Sequence, residues 1–268
     1  MRASRTALRA LLVGAALYAG VCIVARLMYR RALYPAPHRA PVATPLGAKL
    51  LSATASDGAP VHALDFTRPS DRGTVVFFHG NGELADDAIP FAETLRRRGL
   101  GAVLVEYRGY GASAGAPAPT EEGLYADAEA VLAALARREG GDGPLVLVGY
   151  SLGSGVAAEM AARGHGKGLV LLAPFTSLPD LSSRRWPMLP MSIIPPDRFE
   201  TLAKAPRIAI PSRVLHGDRD DVVPFDMGEA VAKALPNARF VRVEGASHVD
   251  LFAKAEGAIV DAVVELAR

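Results

Sequence analysis

The chain has 268 residues, 50% of them hydrophobic, with 30 Lys and Arg against 28 Asp and Glu. That length suits one large α/β domain, and a formal charge of +2 carries no global basic signature for nucleic acid. The single cysteine, Cys22, excludes an intrachain disulfide and any multi-cysteine metal site.

Residues 1–34 differ from the rest. Arg2, Arg5 and Arg9 precede an uncharged run from Ala10 to Ala25, and Arg26, Arg30 and Arg31 follow it. Sixteen uncharged residues fall short of the ~20 that a spanning helix needs, a length reached when Arg9 and Arg26 snorkel toward headgroups. The segment reads as an uncleaved N-terminal membrane helix. Its rival is a signal peptide, which would leave a secreted or periplasmic protein, but no small-x-small cleavage site precedes a polar mature start. Basic residues flank both ends, so charge bias does not assign topology. Residues 35–48 follow as an extended connector, with Pro35, Pro37, Pro41 and Pro45 fixing the backbone.

From residue 49 to 268 the pattern becomes that of a catalytic domain. Lys49–Ala55 and Val61–Thr67 flank a Ser56-Asp57-Gly58 turn signal, which predicts a hairpin. Strand-like runs follow at 74–78, 102–105, 145–148, 169–173, 212–215 and 239–243. Helical patterns lie between and after them, at 89–98, 120–138, 154–163, 225–235 and 249–267. Continuous apolar strands separated by helices predict a mostly parallel sheet covered on both faces, with function in loops at the carboxyl ends of strands. The alternation fails between Ala173 and Ser212. Phe175–Pro211 holds seven prolines, with Trp186, Met188, Met191 and Phe199 among them. A disordered linker is not this apolar, so 175–211 reads as an excursion over the sheet edge that forms a lid or a substrate wall.

Three strand ends carry chemistry. After the run 145–148 comes Gly149-Tyr150-Ser151-Leu152-Gly153, then an alanine-rich helix. A strand, a sharp turn and a helix with small residues on both sides of Ser151 make an elbow that presents the serine hydroxyl above the sheet. After 74–78 comes His79-Gly80-Asn81-Gly82. Its glycines let backbone amides face the same space, where an acyl-transfer oxyanion would sit. Asn81 is the preferred loop donor, Gly82 the alternative, and Leu152, next to the serine, supplies the second amide. His79 precedes the turn and reads as a brace for the loop. After 212–215 comes a loop with Asp218, Asp220 and Asp221, each a candidate to orient a histidine. After 239–243 comes Gly245-Ala246-Ser247-His248. Serine, aspartate and histidine in that chain order, each directly after its own strand, is the order of a hydrolase triad. His38, His62 and His165 lack such a setting.

These segments resemble the α/β-hydrolase superfamily, and most nearly its small serine hydrolases with an N-terminal membrane segment. The resemblance rests on His79-Gly80-Asn81-Gly82, Glu106-Tyr107-Arg108-Gly109-Tyr110-Gly111, Gly149 to Gly153, Pro174-Phe175-Thr176-Ser177-Leu178, His216 to Asp220 with Val223-Pro224, and Gly245 to His248. It implies the α/β-hydrolase fold with a small cap insertion, Ser151 as nucleophile, Asp220 as acid and His248 as base, with no cofactor and no metal. Glu106 stands where the family usually has aspartate. The activity so implied is cleavage of carboxylic esters or thioesters through an acyl-enzyme, on a small-molecule or lipid-like acyl substrate. A serine peptidase uses the same triad, and a membrane-tethered binding protein could keep the fold without turnover. An aspartate-nucleophile dehalogenase or epoxide hydrolase does not fit Ser151.

Overall fold

The computed structural model describes residues 2–37, 39–40, 44–138 and 143–268. Of the connector positions named above, His38 and Pro41 lie outside the described residues. The chain opens with helix α1 (Arg2–Leu33) and a hairpin of β1 (Lys49–Thr54) and β2 (Pro60–Asp65). Then come β3 (Thr74–Phe78), α2 (Ile89–Arg97), β4 (Gly101–Glu106) and α3 (Glu121–Ala136). The centre follows with β5 (Leu145–Tyr150), α4 (Leu152–Ala162) and β6 (Gly168–Leu172). The chain ends through α5 (Leu178–Arg185), α6 (Thr201–Lys204), β7 (Ser212–Gly217), α7 (Phe225–Ala234), β8 (Ala238–Val243) and α8 (Leu251–Leu266).

The strands form one eight-stranded sheet in the order β1-β2-β4-β3-β5-β6-β7-β8. β1 and β2, and β2 and β4, pair antiparallel, and every later pair is parallel. Alternate residues of a strand face opposite sides of a sheet. Val76, Phe78 and Leu147 accordingly join the core under α3, α4 and α7, while Val75, Phe77, Val146 and Val148 join the core under α2 and α8. Each such side chain contributes about 1.5–3 kcal/mol through burial. Burial on both faces is why these strands read as continuous apolar runs.

Local chemistry sets the helix ends. Thr120 caps α3 by accepting from the Gly123 amide, so that helix starts at Glu121. α4 starts earlier than its alanine-rich pattern predicts, at Leu152 directly after the serine. Ser154 sits inside its first turn, with its hydroxyl on the Ser151 carbonyl. A short 3₁₀ turn at Ala85–Ala88, absent from the sequence pattern, leads into α2. Arg108, from the loop after β4, bridges Asp57 of the hairpin to buried Asp127 of α3.

The 175–211 excursion is a packed cap. Phe175, Leu178, Met191, Ile194 and Phe199 are buried beneath it, whereas Trp186, Met188 and Ile193 face outward. α1 lies against this cap with its last turns. Arg30 forms a two-pronged pair with Asp197, whose carboxylate also accepts the Glu121 amide of α3. Tyr34, just past the helix, is buried, and Pro35 lies beside Gly82. The N-terminal helix thus ends packed against the sheet domain and its cap.

Candidate active site

Ser151 sits between β5 and α4 with φ 51° and ψ −115°. A left-handed φ is costly for a residue with a Cβ, and at functional sites such strain is held by the surrounding structure. Here close packing holds it. A side chain at Gly149 would collide with the Gly153 carbonyl, and one at Gly153 with the Phe78 carbonyl of β3. The glycines let strand, turn and helix backbones approach this closely, and the turn aims the hydroxyl out of the sheet.

His248, in the loop between β8 and α8, places Nε2 3.0 Å from the Ser151 Oγ and Nδ1 2.7 Å from Asp220 Oδ2. An ionised carboxylate only accepts, so Nδ1 carries the proton and Nε2 presents its lone pair to the serine hydroxyl. Asp220 lies in the loop after β7 with its side chain fully buried. Its Oδ1 accepts the amides of Val222 at 2.9 Å and Val223 at 2.7 Å, and its Oδ2 also faces His216 Nε2 at 3.3 Å. Burial pushes the carboxyl up, but hydrogen bonds from His216 and His248 outweigh it and hold Asp220 well below the usual range, so it stays ionised. The neighbouring acids are occupied elsewhere or exposed. Asp218 binds Arg242 and the Gly245 amide, and Asp221 faces solvent.

The glycine loop after β3 closes the site. Asn81, Gly80 and Leu152 line the same cavity as Ser151 and His248. Leu152 begins α4, so its amide is among those with no acceptor inside the helix and forms part of the positive end of the helix dipole. His79 braces the loop from below, as its position suggested. Its Nδ1 donates to the Gly80 carbonyl at 2.8 Å, its Nε2 lies 3.3 Å from Glu106, and its own carbonyl accepts the Tyr107 hydroxyl. Glu83 accepts the Gly80 amide at 2.7 Å, and burial raises its pKa.

Three contributors carry no local sequence signal of their role. Tyr150 stacks on His248 with centroids 5.3 Å apart, and its hydroxyl donates to the His248 carbonyl. His216 shares Asp220, at the i, i+4 spacing that is its only trace in the sequence. Leu33, the last residue of α1, lines the cavity with Phe175, Leu178 and Leu181 of the cap. The cavity measures about 440 Å³, a size typical of small-molecule sites. Glu83 and Tyr150 separate it from a second chamber of about 260 Å³ under Phe77, Phe91 and Phe252. Among the described residues, no cluster of His, Cys, Asp and Glu is arranged to hold a metal ion.

A parallel sheet with an antiparallel hairpin edge, a serine elbow after its fifth strand, and an acid and a histidine after its last two strands define an α/β-hydrolase. Comparison with known proteins agrees. The family model for serine aminopeptidase S33 hydrolases matches residues 69–195. An uncharacterised protein of Mycobacterium tuberculosis is 32% identical over 229 residues, which cover 84% of this chain and 80% of that protein. Mouse alpha/beta hydrolase domain-containing protein 17C is 31% identical over 68% of this chain, and the match spans 56% of the mouse protein. Among solved structures, the Pyrococcus furiosus esterase Pf2001 superposes with a TM-score of 0.71 at 19% identity, covering 86% of this chain and 97% of the esterase. The chain belongs to the α/β-hydrolase superfamily.

Proposed function

We propose that the chain is a serine hydrolase that cleaves carboxylic ester or thioester bonds through an acyl-enzyme. The hydrogen-bonded row Ser151–His248–Asp220, ending in a buried ionised carboxylate, carries this reading. His248 Nε2 takes the Ser151 proton as Oγ attacks the acyl carbonyl carbon. Asp220 holds the tautomer and faces the imidazolium that forms. The amides of Asn81 and Leu152 receive the oxyanion. His248 then gives its proton to the leaving alcohol or thiol, whose bond to the acyl carbon breaks. Water, deprotonated by the same nitrogen, releases the acid and restores Ser151.

α1 is the membrane anchor in this reading. Its stretch Arg5–Leu33 is long and apolar enough to cross a bilayer, and Leu11, Leu17 and Leu27 are among its exposed side chains. A cleaved signal would discard the bonds that Arg26 and Arg30 make to the cap. The apolar lining of the cavity, from Leu33, Phe175, Leu181 and Val249, favours an acyl chain over a charged peptide.

The test is a substrate panel on the full chain in detergent, because Leu33 and Arg30 belong to the domain. p-Nitrophenyl esters from acetate to long acyl chains, acyl thioesters and aminoacyl p-nitroanilides are compared by kcat/KM. Esters or thioesters are expected to exceed the anilides by at least about tenfold. The reverse order would replace the esterase reading with the peptidase that the family model's description names.

A further inference from the structure

The cap carries an uncharged run, Trp186–Pro196, flanked by Arg184 and Arg185 before it and by Asp197 and Arg198 after it. Trp186, Met188 and Ile193 are 50%, 81% and 68% exposed. In a water-facing cap, a Trp, a Met and an Ile held outward together have no packing role.

α1 lies along this run. The Tyr18 hydroxyl donates to the Met188 carbonyl at 2.7 Å, and Arg26 donates to the carbonyls of Ile193 at 2.8 Å and Ile194 at 3.2 Å. Tyr29 pairs with Ser182, and its neighbour Arg30 reaches Asp197. Tyr18 and Arg26 are eight residues apart, which at the helical rise is about 12 Å along the axis. With Arg26 at the headgroup level, Met188 therefore lies within one leaflet of a hydrocarbon layer ~30 Å thick.

Most of the run's backbone suits that depth. Irregular backbone tolerates hydrocarbon only where its polar groups have partners. Pro187, Pro190, Pro195 and Pro196 have no N–H to satisfy. Of the run's remaining amides, those of Leu189, Met191, Ile193 and Ile194 bond inside the run and that of Trp186 bonds Ser182, which leaves Met188 and Ser192 without a backbone acceptor. The carbonyls of Met188, Ile193 and Ile194 are the ones that α1 covers. Trp is also the side chain most suited to the headgroup boundary, with an apolar body and one polar tip.

We propose that Trp186, Met188 and Ile193 insert into the lipid bilayer beside α1, making the cap a second membrane contact. This rests on the anchoring role given to α1. It sets the Ser151 cavity at the bilayer surface, because Leu33 ends α1 and lines that cavity together with Leu181 of the cap. Val222 and Val249, which also line it, are 51% and 85% exposed.

Trp186 is the only tryptophan in the chain, so its fluorescence reports on the cap alone. The full-length protein is reconstituted in phosphatidylcholine vesicles with plain or brominated acyl chains, recovered by flotation, and titrated with acrylamide. The expected result is a loss of Trp186 emission of at least about twofold in brominated lipid, with weak acrylamide quenching. Met188→Asp combined with Ile193→Asp is expected to reverse both while the protein still floats. Equal emission in the two lipids with strong acrylamide quenching would overturn the proposal. Shielding from both quenchers would overturn it too, in favour of a cap covered by protein. A chain that does not float would remove the anchor, and this proposal with it.

Discussion

Ser151→Ala is expected to lower kcat on p-nitrophenyl acetate by on the order of 10⁴-fold or more, a barrier increase of about 5 kcal/mol. The loss is this large because, among the described residues, the hydroxyls flanking Ser151 in sequence are committed to backbone carbonyls. The Tyr150 hydroxyl donates to the His248 carbonyl, and Ser154 is fully buried in the first turn of α4 and donates to the Ser151 carbonyl. Alanine keeps the Cβ and so keeps the left-handed backbone under the same constraint. The thermal unfolding midpoint is therefore expected to stay at the parent value, which separates loss of the nucleophile from loss of the fold. Unchanged turnover in Ser151→Ala would exclude the acyl-enzyme route.

Asp220→Asn is expected to cost a similar factor, on the order of 10⁴ in kcat, for a different reason. The Asp220 side chain is held by the amides of Val222 and Val223 on one oxygen and by His248 and His216 on the other. The two amides require an oxygen, so an asparagine must turn its oxygen to them and its NH₂ to His248. A donor facing Nδ1 forces the other tautomer, with the proton on Nε2. The imidazole then points a hydrogen at Ser151 and can no longer accept one. His216 Nε2, a donor at this position, faces the same NH₂, so thermal stability is expected to fall as well. Steady-state kinetics and a melting curve on the purified variant read both effects. A loss below tenfold would show that His248 does not depend on Asp220 for its orientation.

Much of this site is legible from local pattern because each member directly follows a strand. Apolar runs mark β3 and β5, strand-like patterns mark β7 and β8, and a parallel sheet brings their carboxyl ends to one edge. Ser151, Asp220 and His248 therefore converge although Asp220 and Ser151 are far apart in sequence. The glycines around Ser151 are legible for the same reason, since close backbone approach admits nothing larger. The choice among Asp218, Asp220 and Asp221 was not legible from spacing alone. It depends on which carboxylate turns inward, and that is decided by the Arg242 and Gly245 partners that hold Asp218 outward. Leu33 and Arg30 were hidden for a related reason. Their hydrophobic and basic character reads as membrane flank, and only the fold reveals Asp197 and the cavity wall beside them. Tyr150 was visible in the elbow, but its stacking on His248 belongs to a contact between β5 and a loop 98 residues later.

The Ser151 nucleophile is tested by labelling the full-length protein with a fluorophosphonate, followed by peptide mass spectrometry. A single adduct is expected on the peptide that carries Ser151, lost in Ser151→Ala and sharply slowed in His248→Ala. An adduct on another residue, or no adduct on a folded protein, would contradict Ser151 as the nucleophile.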